Sequence, residues 1–201
     1  MTKAILAAIP IKPFGVAKAR LAGRLDAQTR SRLGKAVAAR TAAAATDAGA
    51  LVAIVTTDAG VTHWARTRGY LTIDETMSPS DGLNGAAEAA VTEAARRQRC
   101  WAVIHADLPL ITPGALSTLF ALAERKLVLV PAHDGGTNII AGSGTTIRFS
   151  YGQASFHRHL ALNPGAQVVT TPELALDLDT SLDLARAAAL PAGRWLRGYL
   201  H

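Results

Sequence analysis

Apolar runs alternate with amphipathic stretches along this chain, and the alternation sets the order of its elements. Residues 4–11 are almost continuously apolar, close on Pro10-Ile11-Lys12-Pro13, and predict a first strand. A basic, polar loop follows at 12–24. Residues 27–48 predict a helix whose apolar face carries Leu33, Val37 and many alanines, with Gly49 as its stop. Shorter units repeat the theme: a strand at 51–56, a helix at 59–68 ended by Gly69, and a strand at 70–73. A loop at 74–82, rich in Ser, Pro and Asp, leads into a helix at about 83–97.

In the second half, 101–105 predicts a short buried strand, and Thr112-Pro113 starts a helix with an N-cap hydroxyl and a first-turn proline. Residues 127–131 are again a continuous apolar strand. Asp134-Gly135-Gly136-Thr137-Asn138 opens a hairpin-like stretch to about 149, followed by a helix at 153–162, a strand at 167–170 and a last helix at 180–190. No repeat or linker divides the chain, so one domain is expected over residues 1–201. Strands apolar on both faces belong to a mostly parallel sheet with helices on either side, an α/β fold.

Composition narrows the function classes. At 49% hydrophobic and 18% charged, the chain is globular rather than disordered. No apolar run reaches the roughly 18 residues of a membrane span, and the N-terminal stretch reads as a strand rather than a signal peptide. The sole cysteine, Cys100, excludes an internal disulfide and a thiolate metal cluster, and the expected location is cytoplasmic. A net charge of +6 fits either a nucleic-acid surface or a pocket for a polyanionic small molecule. Aromatics make up 5% and do not alternate with basic residues as a base-stacking platform would, so no nucleic-acid partner and no membrane are expected.

Four clusters carry candidate chemistry. The loop after the first strand holds Lys12, Lys18 and Arg20, three cations and a glycine suited to a triphosphate, although neither a P-loop nor a Gly-x-Gly-x-x-Gly loop is present. Asp81-Gly82-Leu83-Asn84-Gly85 stands at a helix start, where free N–H groups and the Asn84 amide suit a base or ribose; an ordinary cap is the alternative. Asp107 ends the 101–105 strand, just before Pro109, and ligands bind beyond such strand ends in open α/β sheets. Asp177-Leu178-Asp179 read as a strand places two carboxylates on one face, which repel unless a cation lies between them. If Thr180 and Asp183 form a capping box, Asp179 is not needed as the cap. Together the three acids suit Mg²⁺. Between them, Thr137, Gly152 and Ser155 outline an anion pocket, with Ser155 and His159 on one helical face.

In order along the chain, Pro10-x-Lys12, Ala17-Lys18-x-Arg20-Leu21, Gly82-Leu83-Asn84, Asp107-Leu108-Pro109, Gly135-Gly136-Thr137-Asn138, Gly152-x-x-Ser155-Phe156-x-x-His159 and Asp177-x-Asp179-Thr180 resemble the 2-phospho-L-lactate/phosphoenolpyruvate guanylyltransferases of coenzyme F420 biosynthesis. The resemblance implies a three-layer Rossmann-like nucleotidyltransferase fold, related to the molybdenum-cofactor guanylyltransferases. It implies that Thr137, Gly152 and Ser155 hold a phosphorylated three-carbon acid, that Asp107, Asp177 and Asp179 hold Mg²⁺, and that Lys12, Lys18, Arg20, Gly82 and Asn84 serve GTP. Ala19 departs from the threonine common in the family, and residues 58–80 and 191–201 carry no matching motif.

The expected reaction transfers GMP from GTP to phosphoenolpyruvate or 2-phospho-L-lactate, with pyrophosphate released and the product passed to the next enzyme of the deazaflavin pathway. A 3-phospho-D-glycerate acceptor and a homodimer are both compatible with the residues. A molybdenum-cofactor or sugar-phosphate nucleotidyltransferase is the alternative within the class, and a catalytically silent nucleotide- or RNA-binding module the alternative outside it.

Overall fold

The computed structural model describes residues 4–15, 18–78, 80 and 82–200. Strand β1 (Ile5–Pro10) lies centrally, hydrogen-bonded in parallel to β2 (Leu51–Val55) on one side and β4 (Cys100–Ile104) on the other. β3 (Leu71–Ile73) extends the sheet in parallel beyond β2. β6 (Thr137–Gly142) is antiparallel to both β4 and β5 (Val128–Pro131), and β7 (Gln167–Val168) closes the far edge parallel to β5. The order is therefore β3-β2-β1-β4-β6-β5-β7, the expected mostly parallel mixed sheet.

Alternation along β1 builds both faces. Ile5, Ala7 and Ile9 pack with residues of α1 (Ala27–Asp47), α2 (Ala59–Arg66) and α4 (Pro113–Ala123). Leu6 and Ala8 face the alanine side of α3 (Gly82–Arg96), and α5 (Ser155–Leu162) adds Phe156 and Leu160 at the rim of that layer. Each fully buried Ile or Leu contributes about 1.5–3 kcal/mol over an exposed one, so the two faces hold the sheet in place without a disulfide.

Helix starts follow the sequence. Asp26 accepts the Thr29 N–H at 2.7 Å, Asp58 the Val61 N–H at 2.8 Å and Thr112 the Ala115 N–H at 3.3 Å. Thr180 and Asp183 form a reciprocal capping box on α7 (Ser181–Ala189), which leaves the Asp179 carboxylate out of capping.

Several features differ from expectation. Residues 177–179 form no strand; the segment lies beside the end of β4, where the Leu178 N–H donates to the Asp107 carbonyl at 3.0 Å. The 134–149 stretch yields only β6 as strand, the remainder being irregular. A short helix α6 (Pro172–Ala175) and a 3-10 segment, Pro191–Tyr199, were not expected. That segment covers a third apolar cluster in which Leu33 and Val37 of α1 meet Leu178, Leu184 and Leu196. Gly193 makes the contact possible, since a Cβ there would lie 1.9 Å from the Ala187 carbonyl oxygen.

Candidate active site

The sheet order decides where a ligand can enter. The chain winds outward through β1, β2 and β3, then returns to the opposite side of β1 as β4. Loops leaving β1 and β4 therefore diverge, and crevices at such reversals are the ligand sites of open α/β sheets. A cleft of about 560 Å³ lies there. Lys12 and Lys18 line it from the β1 loop, His105 and Asp107 from the end of β4, and Gly82 and Leu83 from the start of α3. Thr137, Gly152, Ser155, Asp177 and Asp179 complete the far wall.

On the β1 side, Lys18 sits in the left-handed region at φ 61°. Its largely buried ammonium lies 2.7 Å from Asp107 Oδ2 and 3.5 Å from Asp179 Oδ1. Burial alone would push the Asp107 carboxyl up, but Lys18 and His105 outweigh it, and the group is held below the ordinary carboxylate range. Asp107 Oδ1 is buried without a hydrogen-bond partner. Arg20 is exposed, pairs with Asp179 Oδ2 at 3.5 Å and does not line the cleft. Val16, Ala17 and Asp81, which belong to the expected nucleotide loops, lie outside the described residues.

The acidic residues converge, with one addition. Oxygens of Asp134, Asp177 and Asp179 all lie within 4.8 Å of one another. Asp107, expected in that group, instead spends one oxygen on Lys18. Burial and the neighbouring carboxylates, Asp107 first, push Asp177 up to about 6. Three crowded carboxylates without nitrogen or sulfur among them suit a hard cation, and Mg²⁺ fits this donor set. His133 braces the cluster from behind: its Nδ1 is 3.0 Å from Asp177 Oδ1 and its Nε2 is 3.0 Å from Asp183 Oδ1.

The wall expected to take an anion carries hydroxyls. Thr137, Ser155 and His159 are all buried, and Thr137 Oγ1 lies 3.0 Å from Ser155 Oγ and 2.9 Å from His159 Nδ1. Burial first, then Arg158 and His105, lowers His159 to about 4. Gly152 turns the chain at φ 124°, a conformation open to glycine alone, and brings the backbone to the cleft wall. The helix N–H groups expected to serve an anion here are in part committed: Ser155 N–H donates to the Gly152 carbonyl and Phe156 N–H to the Gly135 carbonyl.

Asn84 has a different duty from the one expected. Its Oδ1 accepts the Tyr151 N–H at 2.8 Å, which ties the start of α3 to the pocket wall, and its side chain does not line the cleft. Sequence reading missed Asp134 and His133. An acid preceding two glycines in a strand-joining turn was the available signal for Asp134; nothing local marks His133.

A model of the CofC-like guanylyl transferase family matches residues 5–200. The phosphoenolpyruvate guanylyltransferase of Nocardia farcinica is 34% identical, over 98% of this chain and 91% of its own. The 2-phospho-L-lactate guanylyltransferase of Methanothermobacter thermautotrophicus is 30% identical, over 96% and 88%. Among solved structures, a protein of Desulfovibrio desulfuricans G20 assigned to the nucleotide-diphospho-sugar transferases superposes with a TM-score of 0.73 at 14% identity, covering 96% of this chain and 94% of that one. The fold expected from the sequence is the fold of that neighbour.

Proposed function

We propose a specific reaction from the premise that the chain belongs to the CofC-like guanylyl transferase family and is a nucleotidyltransferase: it transfers GMP from GTP to phosphoenolpyruvate. The supporting observation is a single cleft with a buried lysine between carboxylates on one wall and a buried hydroxyl pair on the other. A phosphate oxygen of the acid attacks the α-phosphorus in line. The new P–O–P bond forms as the bond to the departing pyrophosphate breaks. The attacking phosphate is already anionic, so no protein base is required, and the chain contributes position and charge.

Lys12 and Lys18 face the triphosphate, with Arg20 at the rim. Lys18 exchanges the Asp107 oxygen for a phosphate oxygen when GTP enters. Gly82 lies under the nucleoside, and Asn84 supports that wall from behind through its bond to the Tyr151 N–H. Thr137, Gly152 and Ser155 hold the acid. Asp177 and Asp179, with Asp134, are the residues that would hold Mg²⁺, and Asp107 would be free to join them if Lys18 turned to the phosphates. The ion, when bound, offsets charge on the phosphates and on the departing pyrophosphate.

The acceptor follows the relatives that share most of the chain at 34–35% identity, which are named for phosphoenolpyruvate. The product, enolpyruvyl-diphosphoguanosine, is then an intermediate of coenzyme F420 biosynthesis made in the cytoplasm and consumed by the next enzyme there. Pyrophosphate release from GTP and Mg²⁺ with phosphoenolpyruvate, 2-phospho-L-lactate or 3-phospho-D-glycerate tests this. The highest kcat/KM is expected for phosphoenolpyruvate. A higher value for another acid reassigns the acceptor, and no release with any of them overturns the reaction.

A further inference from the structure

We infer that His159 is a positioning residue for the acid substrate: as a neutral imidazole protonated on Nδ1, it orders the Thr137 and Ser155 hydroxyls so that one O–H points at an oxyanion in the cleft. This rests on the proposed acid pocket and goes beyond it, since His159 does not itself line the cleft.

The argument begins at the backbone. The Ser150 N–H donates to His159 Nε2 at 2.8 Å. An amide N–H has no second role, so Nε2 must present a lone pair and carry no hydrogen. The imidazole hydrogen is then on Nδ1, 2.9 Å from Thr137 Oγ1, and Thr137 accepts it. Imidazolium would set an Nε2–H against the amide N–H, in keeping with the depressed affinity of this histidine for a proton.

Counting donors fixes the output. His159 Nδ1–H, Thr137 O–H and Ser155 O–H are three hydrogens, and the two contacts His159–Thr137 and Thr137–Ser155 consume two of them. One hydroxyl hydrogen is left over, on the two residues of the three that line the cleft. A network that exports a donor selects an oxyanion, whether carboxylate or phosphate. The other tautomer would make Nδ1 an acceptor, draw the Thr137 hydrogen inward and leave the Ser150 N–H unpaired.

The anchor is fixed from several sides. Arg158 Nε and Nη2 donate to the Ser150 carbonyl at 3.2 and 3.0 Å, so α5 grips both polar ends of that residue. The next residue, Tyr151, is tied to Asn84 through its N–H, and its ring meets the His159 ring edge-on at 4.8 Å between centroids.

The experiment compares His159→Phe, which fills the space without a donor or acceptor, with His159→Gln, whose amide offers an acceptor for Ser150 and a donor for Thr137. KM for the acid and for GTP are measured separately, with kcat. The Phe variant is expected to raise KM for the acid about tenfold or more, with KM for GTP within about twofold, and the Gln variant to recover most of the loss. Unchanged KM for the acid in a folded Phe variant, or equal rises for both substrates, overturns the role.

Should the Phe variant not fold, nitrogen-resolved NMR of the wild-type imidazole decides instead. Nδ1–H with an unprotonated Nε2 at neutral pH is expected, and the opposite tautomer or imidazolium overturns the inference. Wild-type protein that releases no pyrophosphate with any acid would sink the parent reading and leave the tautomer measurement to decide this one.

Discussion

A threonine hydroxyl with 1% of its surface exposed, as at Thr137, is stable only if its hydrogen bonds are met, and here they are met by Ser155 and His159. Replacing Thr137 by Val or Ser155 by Ala removes a hydrogen bond to a charged group, worth about 1.5–3 kcal/mol, which corresponds to roughly a tenfold to hundredfold rise in KM for the acid. KM for GTP should barely move, and equal rises in steady-state kinetics would remove these residues from the acid pocket. His159 adds a pH signature. Its affinity for a proton corresponds to about 4 in the fold, against about 6.5 in the open chain. Between those values the unfolded state binds the proton and the native state does not. Stability is therefore full above about 6.5 and falls as pH is lowered toward 4, by an amount on the order of 3 kcal/mol. Urea melts of wild type and His159→Gln should lie close together above about 6.5 and separate as pH falls, because only the imidazole gains a proton on unfolding; parallel curves would show that His159 carries no such linkage. That Lys18, Asp107, Thr137 and Ser155 share one cleft was legible beforehand because each sits in a short run at the end of a strand or the start of a helix. Asp134 and His133 were not, because what they touch lies more than 40 residues away at Asp177.

Among the elements, the strands were read from continuous apolar runs and the helix starts from their caps, both of which are local signals. The C-terminal segment Pro191–Tyr199 has no such signal, because its fit depends on α7 and on α1, 150 residues earlier. Residues 177–179 were misread as a strand for a related reason. Alternation of Asp and Leu imitates strand periodicity, while the segment is held by isolated bonds: Leu178 N–H to the Asp107 carbonyl, Asp179 N–H to Asp183, and His133 to Asp177. Gly193→Ala tests how much the tail contributes. The added methyl meets the Ala187 carbonyl at 1.9 Å and Leu110 Cδ2 at 2.9 Å, so the segment must lift or the helix must shift. Overpacking of this kind costs about 1–3 kcal/mol, or roughly 2–12 °C in Tm for a chain of this size. Gly15→Ala, with nothing within 4 Å of the new Cβ, is the control and should lie within about 0.5 kcal/mol of wild type. Equal midpoints for the two variants in thermal melts would mean that the tail does not bear on the core.

For the molecule as a whole, a net charge of +6 hides an internal division: the β1 loop presents cations across the cleft from a cluster of carboxylates. The two groups belong to segments brought together only by the reversal of the sheet between β1 and β4. Without ligands, the Lys18 bridge to Asp107 and Asp179 draws the two charge sets together across the cleft, and the crowding of Asp134, Asp177 and Asp179 opposes it. Mg²⁺ with GTP should reverse the balance, because the cation relieves the carboxylates while the triphosphate engages the lysines. Binding only to the native state adds about 2.7 kcal/mol at a ligand concentration 100 times Kd, or roughly 5–10 °C in Tm for a chain of this length. Mg²⁺ alone, or GTP with EDTA, should give a small part of that shift, since each leaves one charge set uncompensated. Asp177→Asn should melt no lower than wild type in the absence of ligand, having lost a repelled charge at the price of one His133 contact, and it should lose most of the joint shift. Turnover should fall with it, as the departing pyrophosphate would have no cation. An Asp177→Asn variant that keeps the full wild-type shift with GTP and Mg²⁺ in a thermal melt would take the metal away from these carboxylates, and with it the reason for their convergence at the mouth of β4.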